Sequence, residues 1–363
     1  MPITRVFSIS FVQSKSVLSC RFVGGFEAYF INTPHLDYGL GGIGTFAEVP
    51  GANAIVKAIV EDQIRSRFVW PNRFHMYLPI EVVETIANKD FKLPKPSGVL
   101  EIKLVEARDL MKKDKSILGT GLSDPYATIK IGERKITFRD SYASQTVTPK
   151  WNYTSCFIME NYHGQEVLIE VLDHDSSSSD DFLGRTVMMM DGLITDRYSD
   201  EWIKLEGVKK GDIRVATKWK AVICPEDVVE NGEHEASPYA VSIYVDSCRN
   251  LTRNSESKPP YPKCVLRHTQ SGTCEETVVK NKTRDPTFEE GFLFLSFNID
   301  ADTCSIDVVD SKSGDMLLGR VNIPLSFLKQ SPRKQFFDMD FDLEDGPSQD
   351  AKITLSAKLF QVQ

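Results

Sequence analysis

The sequence predicts a mainly β protein: two antiparallel eight-stranded β-sandwiches preceded by a smaller α+β segment. Three observations predict it. Short alternating apolar runs, separated by turn residues every 8 to 15 positions, fill residues from about 97 onward. That pattern occurs twice, at offsets of 141, 137 and 135 residues. The first 90 or so residues lack it and carry a helical apolar period instead.

The opening segment, residues 1–92, begins with stretches punctuated by glycine, GGFEAYFINTPHLDYGLGGIGTF, that read as strands. Pro50 then opens a helix at its first turn. Ile55, Val56, Ile59, Ile64, Phe68 and Val69 recur every three to four residues and make one apolar face. The segment is small for a self-sufficient core. Two breaks follow. Lys89–Gly98 holds two prolines and a glycine, and Pro225–Pro238 is acidic and poor in apolar residues. They set the expected domains: 1–92, 97–223, a linker at 224–237, and 238–363.

Within the first sandwich the strand candidates are LEIKLVE, YATIKI, RKITFRD, EVLIEVLD and RVATKWKAVI, with one short helix near Leu193–Tyr198. The second copy repeats the order. AVSIYVDSCRNL answers VLEIKLVEARDL, TRDPTFE answers TVTPKWN, and SIDVVDSKS with LLGR answers VLIEVLDHD with FLGR. A lag this long is a duplicated domain, not a solenoid period.

Composition narrows the function. Hydrophobic residues are 41% and charged residues 26%, an ordinary globular balance that excludes a disordered, collagen-like or coiled-coil chain. No apolar run reaches the roughly 18 to 20 residues that span a bilayer. Val6–Val12 is broken by serines, and no small-residue cleavage site follows it, so no secretory signal is expected. The net charge of −8 excludes bulk nucleic-acid binding. Seven scattered cysteines without a CxxC pair predict free thiols in a reducing compartment. There the sequons at Asn152, Asn250 and Asn281 carry no weight.

The informative chemistry lies in the first repeat. VLDHDSSSSDDFLG places Asp173 and Asp175 two apart at a strand end, where i and i+2 face the same way. Asp180 and Asp181 close the loop. Asp124 sits in SDPY at a strand start, and Asp114 lies in the loop before it. If both loops leave one end of the sandwich, Asp114, Asp124, Asp173, Asp175 and Asp181 converge. Like charges that close repel and raise each other's pKa. A hard divalent cation relieves this, and calcium, which takes 6 to 8 oxygen ligands in irregular loops, suits the set better than magnesium.

ARDL, SDPY, TPKWN and LDHDSSSSDDFLG together resemble the C2 domain, the calcium- and phospholipid-binding sandwich of the synaptotagmin type. The resemblance implies that Asp114, Asp124, Asp173, Asp175 and Asp181 ligate calcium, with Asp180 behind them. It also implies that Lys130, Arg134, Lys135 and Arg139 lie on strands able to bind phosphoinositides, although interleaved acidic residues favour a solvated face instead. Ile117 and Leu118 either dip into the membrane interface or pack on the sandwich edge. In the second repeat KPPY replaces SDPY, which puts Pro259 in place of a ligand. Asp310 survives, Lys312 replaces the second aspartate, and Asp315 falls one position off register. A calcium-independent copy is expected, with Lys258 and Lys312 either simply exposed or on lipid.

FINTPHLDYGLGGIGTFAEVPG, the helix after it and VWPNRFHMYLP resemble the C-terminal half of an SMP (synaptotagmin-like mitochondrial lipid-binding protein) domain. The continuation LPKPSGVLEIKLVEARDL matches the order of the extended synaptotagmin and tricalbin family. Groove candidates are Ile43, Phe46, Ile55, Ile59, Ile64 and Phe68, for each of which core packing is an equal reading. Family members carry a membrane hairpin and a first SMP half before this point. The chain is therefore expected to be a truncated isoform, an incomplete gene product or a fragment.

The family implies a non-enzymatic, calcium-regulated protein at the cytoplasmic face of endoplasmic reticulum–plasma membrane contacts. It implies anionic phospholipid membranes and glycerolipids as ligands and an SMP-mediated dimer. The alternative is a calcium-independent C2 scaffold or trafficking adaptor with an inactive lipid-transfer segment. No GxSxG, HExxH or phosphate-loop motif supports an enzyme.

Overall fold

The computed structural model describes residues 7–15, 21–30, 58–64, 74–77, 92–111, 123–132, 134–175, 179–224, 238–253, 258–268 and 274–363. The chain forms two compact units, one carrying the N-terminal strands and the body of the first sandwich, the other carrying the second sandwich. Among the described residues no helix is long and apolar enough to cross a membrane.

At the N-terminus, β1 (Phe7–Lys15), β2 (Arg21–Phe30) and β3 (Phe74–Tyr77) form a three-stranded antiparallel sheet. Residues 58–64 are helical, inside the span where the apolar period predicts a helix. Of the groove candidates, Ile59 is 57% exposed and Ile64 half-buried. Ile43, Phe46, Ile55 and Phe68 lie outside the described residues.

The first sandwich has two four-stranded sheets. One runs β10 (Tyr198–Lys204), β11 (Asp212–Ile223), β4 (Gly98–Arg108), β7 (Lys150–Met159). The other runs β6 (Arg134–Thr137), β5 (Pro125–Ile131), β8 (Glu166–Asp173), β9 (Asp181–Met189). The alternation read in the sequence is the pleat itself. Along β8 every second residue is buried, from Val167 through Ile169 and Val171 to Asp173. Ile102, Leu104, Ile129, Ile169, Val171 and Leu183 are fully buried, each contributing about 1.5–3 kcal/mol of apolar burial. The short helix α1 spans Met190–Asp196, earlier than the sequence suggested. Arg197 leaves it at φ 55°, and Tyr198 already pairs with Lys218 in the sheet.

The second sandwich repeats the plan. β18 (Gln335–Asp342), β19 (Lys352–Val362), β12 (Tyr239–Arg249) and β15 (Thr287–Ser296) form one sheet. β14 (Cys274–Glu276), β13 (Pro262–His268), β16 (Thr303–Asp310) and β17 (Met316–Pro324) form the other. Helix α2 (Leu325–Gln330) holds the place of α1.

The likeness of the copies reaches irregular details. A bulge interrupts the register between Val171 and Leu172 in β8, and between Val308 and Val309 in β16. Arg185 bridges Glu206 as Arg320 bridges Glu344. The glycine of FLGR, Gly184, lies so close to Leu205 that a Cβ would meet its Cβ at 2.8 Å. The glycine of LLGR, Gly319, stands likewise 2.7 Å from Leu343 Cβ. This close approach is why both copies have glycine after the apolar pair.

Candidate functional site

β5 starts where β8 ends. Pro125 faces Asp173 across β5 and β8, and Asp173 faces Asp181 across β8 and β9. Asp124 immediately precedes Pro125, so three acidic residues occupy adjoining strand ends at one rim. The antiparallel register alone brings Asp124 to Asp173 over 49 residues of sequence. Asp173 is fully buried, and its Oδ1 accepts the Asp124 amide at 2.6 Å. The carbonyl of Asp124 in turn accepts the His174 amide at 3.0 Å. Asp124 Oδ1 accepts the Gln145 amide at 2.5 Å, which ties the following turn to the same corner. Tyr142 stacks on the His174 ring, centroids 4.3 Å apart.

Asp175 does not continue the strand. β8 ends at Asp173, so the i, i+2 argument stops there and Asp175 is placed by the loop instead. Its amide donates to Asp180 Oδ1 at 3.0 Å. Asp181 is exposed at the start of β9. Asp114, Ile117 and Leu118 lie outside the described residues.

Asp180 has a different role from its neighbour. Arg139 grips it with Nε and Nη2 at 2.7 and 2.8 Å, while Nη2 also donates to the Asp175 carbonyl at 2.9 Å. The Tyr126 hydroxyl donates to Asp180 at 2.6 Å. The Arg139 guanidinium beside Asp180 holds its carboxyl well below the usual carboxylate range, with Tyr126 and the Asp175 amide adding to that against burial. Burial first, then the Asp180 carboxylate, pushes the Tyr126 phenol up to about 12. Asp180 is thus a neutralised brace that shapes the loop, and it adds little net charge to the rim. Nothing local in the sequence signals this pairing, because 41 residues separate Arg139 from Asp180.

The four basic residues named from the sequence divide. Lys130 faces Lys135, and Ile131 faces Arg134, on the β5–β6 hairpin. Arg139 stands apart from them, spent on the rim.

The second sandwich corrects the sequence alignment. Pro262 faces Asp310 as Pro125 faces Asp173, and the Tyr261 amide donates to Asp310 Oδ1 at 3.1 Å. The Ser311 amide donates back to the Tyr261 carbonyl at 3.0 Å, as His174 does to Asp124. Tyr261, not Pro259, therefore takes the place of Asp124. The tyrosines of SDPY and KPPY invite the wrong superposition, because strand register follows the ladder of hydrogen bonds and not a shared aromatic. By the same register Met316 stands where Asp181 stands, and Lys312 where Asp175 stands.

Arg253 is the residue that sequence reading missed. Its Nε donates to Asp310 Oδ2, and the pair is closed in, with the Asp310 side chain fully buried. Ser313 Oγ and the Lys312 amide also donate to Asp310, at 3.0 and 3.2 Å. Burial would raise this carboxyl, but those donors outweigh it and hold it below its ordinary value. Lys312 Nζ sits 4.0 Å over the Tyr261 ring. Lys263 Nζ takes up Asp315 at 3.4 Å and Glu276 at 2.9 Å.

The donor types of the first rim fit a hard cation: Asp124, Asp173, Asp175 and Asp181 offer only carboxylate oxygen, the ligand calcium prefers. Among the described residues no three metal-capable side chains stand together as a complete metal group. The second rim does not fit, since its one buried carboxylate among the described residues is already paired with a guanidinium.

Comparison with known proteins bears on the family and the fold. The C2 domain family matches residues 98–205 and 239–339. Extended synaptotagmin-3 of Xenopus tropicalis is 29% identical over 94% of the chain, and extended synaptotagmin-2 of Homo sapiens 28% identical over 94%. The chain spans 40% and 38% of those two proteins. Among solved structures, the SMP domain and the two C2 domains of extended synaptotagmin 2, solved together, superpose with a TM-score of 0.61 at 28% identity, covering 94% of this chain and 72% of that one. The calcium-bound pair of C2 domains from the same protein superposes with a TM-score of 0.59 at 28% identity, covering 74% of this chain and 98% of that one.

Proposed function

Because the chain belongs to the C2 domain family, as a two-C2 member of the extended synaptotagmins, we propose that it binds phospholipid membranes without enzymatic activity, under calcium control through its first C2 domain. The observation that carries this reading is the register that sets Asp124, Asp173 and Asp181 on adjoining strand ends around a buried carboxylate.

Asp114, Asp124, Asp173, Asp175 and Asp181 would hold the ion. Bound calcium supplies positive charge and open coordination positions that phospholipid oxygens can fill. The protein's own residues do the rest. The Asp124 amide fixes Asp173, and Arg139 draws Asp180 out of the set. The remaining carboxylates make a negative rim that repels an anionic membrane until it is compensated. Such attachment is shallow and weakened by salt, since Ser176–Ser179 give the loop after β8 no apolar side chain to insert.

The finer proposal is a tether between endoplasmic reticulum and plasma membrane, dimerising through its N-terminal segment and carrying glycerolipid there. The superposition on the SMP domain and two C2 domains of extended synaptotagmin 2, at 28% identity, supports it. Failure of the chain to move fluorescent glycerolipid between vesicles would remove this part alone.

The central test is co-sedimentation with phosphatidylserine vesicles in calcium or chelator. The protein should pellet in calcium, and Asp173→Asn with Asp175→Asn should remove that dependence. Persistence of calcium-dependent binding in the double variant would show the site to be misassigned. Equal binding of the unaltered chain in both conditions would favour the scaffold reading.

A further inference from the structure

The second C2 domain keeps the buried rim aspartate but has Tyr261, Lys312 and Met316 where the first has Asp124, Asp175 and Asp181. Asp310 is fully buried at the end of β16. A carboxylate there needs compensation, because an unpaired buried charge is far costlier than a paired one. Arg253 provides it. The guanidinium comes from the loop after β12, 57 residues away, and its side chain is only 17% exposed. The Tyr261 amide, the Lys312 amide and the Ser313 hydroxyl complete the shell around Asp310. These donors come from the two loops that, in the first domain, carry Asp124 and Asp175.

We propose that Arg253 is a permanent, covalently attached counter-cation for the second C2 domain, filling the role of a metal and holding Tyr261, Lys312 and Ser313 in one arrangement around Asp310 whether or not calcium is present. The arrangement has three parts. Arg253 neutralises the one buried carboxylate that the described residues place at this rim. Lys312, where the first domain has Asp175, lies over Tyr261 and places a second positive charge where a metal would need an acid. Sixteen residues separate Arg108 from Pro125 in the first domain, but twelve separate Arg249 from Pro262 in the second. Arg253 stands on the shorter loop, four residues past the end of β12. The inference concerns the second domain alone and stands apart from the calcium site proposed for the first.

Hydrogen–deuterium exchange on the full chain tests it, read at the Tyr261 and Lys312 amides, with calcium or with chelator. In the unaltered protein both amides should exchange slowly, and equally in the two conditions. Arg253→Gln should speed their exchange more than about tenfold while the β13 amides of Cys264–Leu266 stay protected, since removing one partner leaves a buried charge uncompensated. If Arg253→Gln unfolds the domain, adding Asp310→Asn should restore β13 protection by removing the stranded charge. Unchanged exchange in Arg253→Gln overturns the proposal. So does slowing of these amides by calcium in the unaltered protein, or a double variant as unfolded as the single one.

Discussion

Tyr261 occupies in the second C2 domain the position that Asp124 occupies in the first. Each donates its amide to the buried aspartate of the neighbouring strand, Asp310 or Asp173, and each accepts an amide from the residue after that aspartate. The backbone corner is the same in the two copies, and the side chain it presents is not. Restoring acid at this corner should therefore not restore a site. Tyr261→Asp is expected to show no calcium uptake by calorimetry, in a chain whose first site is silenced by Asp173→Asn and Asp175→Asn. Arg253 and Lys312 remain to oppose a cation. Tight calcium binding there would show that the corner residue alone decides.

Arg139, Asp180 and Tyr126 make a second relationship that can be read by titration. The Tyr126 phenol is held up to about 12 by burial and by Asp180. Burial alone holds Tyr153 at about 12. Asp180→Asn should lower the Tyr126 value, because the Asp180 carboxylate no longer raises it and the Arg139 guanidinium, which lowers it, is left beside the phenol, and should not move Tyr153. Nuclear magnetic resonance of labelled tyrosines against pH distinguishes the two rings. An unmoved Tyr126 would mean that Asp180 does not contact it in solution.

Gly184 adopts φ +131°, and a Cβ there would stand 2.8 Å from Leu205 Cβ and 2.9 Å from Val208 Cγ2. Gly184→Ala is expected to destabilise the first C2 domain by about 1–3 kcal/mol through overpacking, before any cost of the backbone angle. At Gly192 a Cβ would meet nothing within 4 Å, so alanine should be tolerated there. Urea unfolding of the two variants gives the comparison, and equal midpoints would refute the steric account.

Glu290 supplies the pH dependence. Burial pushes its carboxyl up to about 7, against the Val278 amide and Lys280, which lower it. Near pH 4 and below, the carboxyl is protonated in both folded and unfolded chains. Between there and about 7 the folded protein holds a proton that the unfolded chain has released, so stability falls as pH rises through that interval. Glu290→Gln should therefore flatten this loss, raising thermal stability near pH ~8 relative to the unaltered chain while leaving pH ~4 unchanged. A variant equally or less stable at the higher pH would show that the ionised carboxylate is well accommodated.

Much of the architecture was legible in the sequence because it rests on local periodicity. Alternation in EVLIEVLD is the pleat of β8, and the glycine of FLGR marks a close approach that both copies share. The meeting of Asp124, Asp173 and Asp181 at one rim was also legible, since each stands at a strand end. Partnerships across the sandwich were not. Arg139 with Asp180, and Arg253 with Asp310, join residues 41 and 57 positions apart, and no local pattern distinguishes a surface arginine from one that neutralises a buried acid.

By itself the sequence determined that the chain is a duplicated β-sandwich and that only its first copy is rich in rim carboxylates, because alternation and residue type are properties of the chain. The tertiary structure alone decided which of these carboxylates an arginine neutralises. Asp180 and Asp310 are claimed by arginines, and Tyr261 falls where an acid would be needed. The reason is physical: charge compensation depends on distance in space, and that distance is set by strand register and loop length rather than by order along the chain.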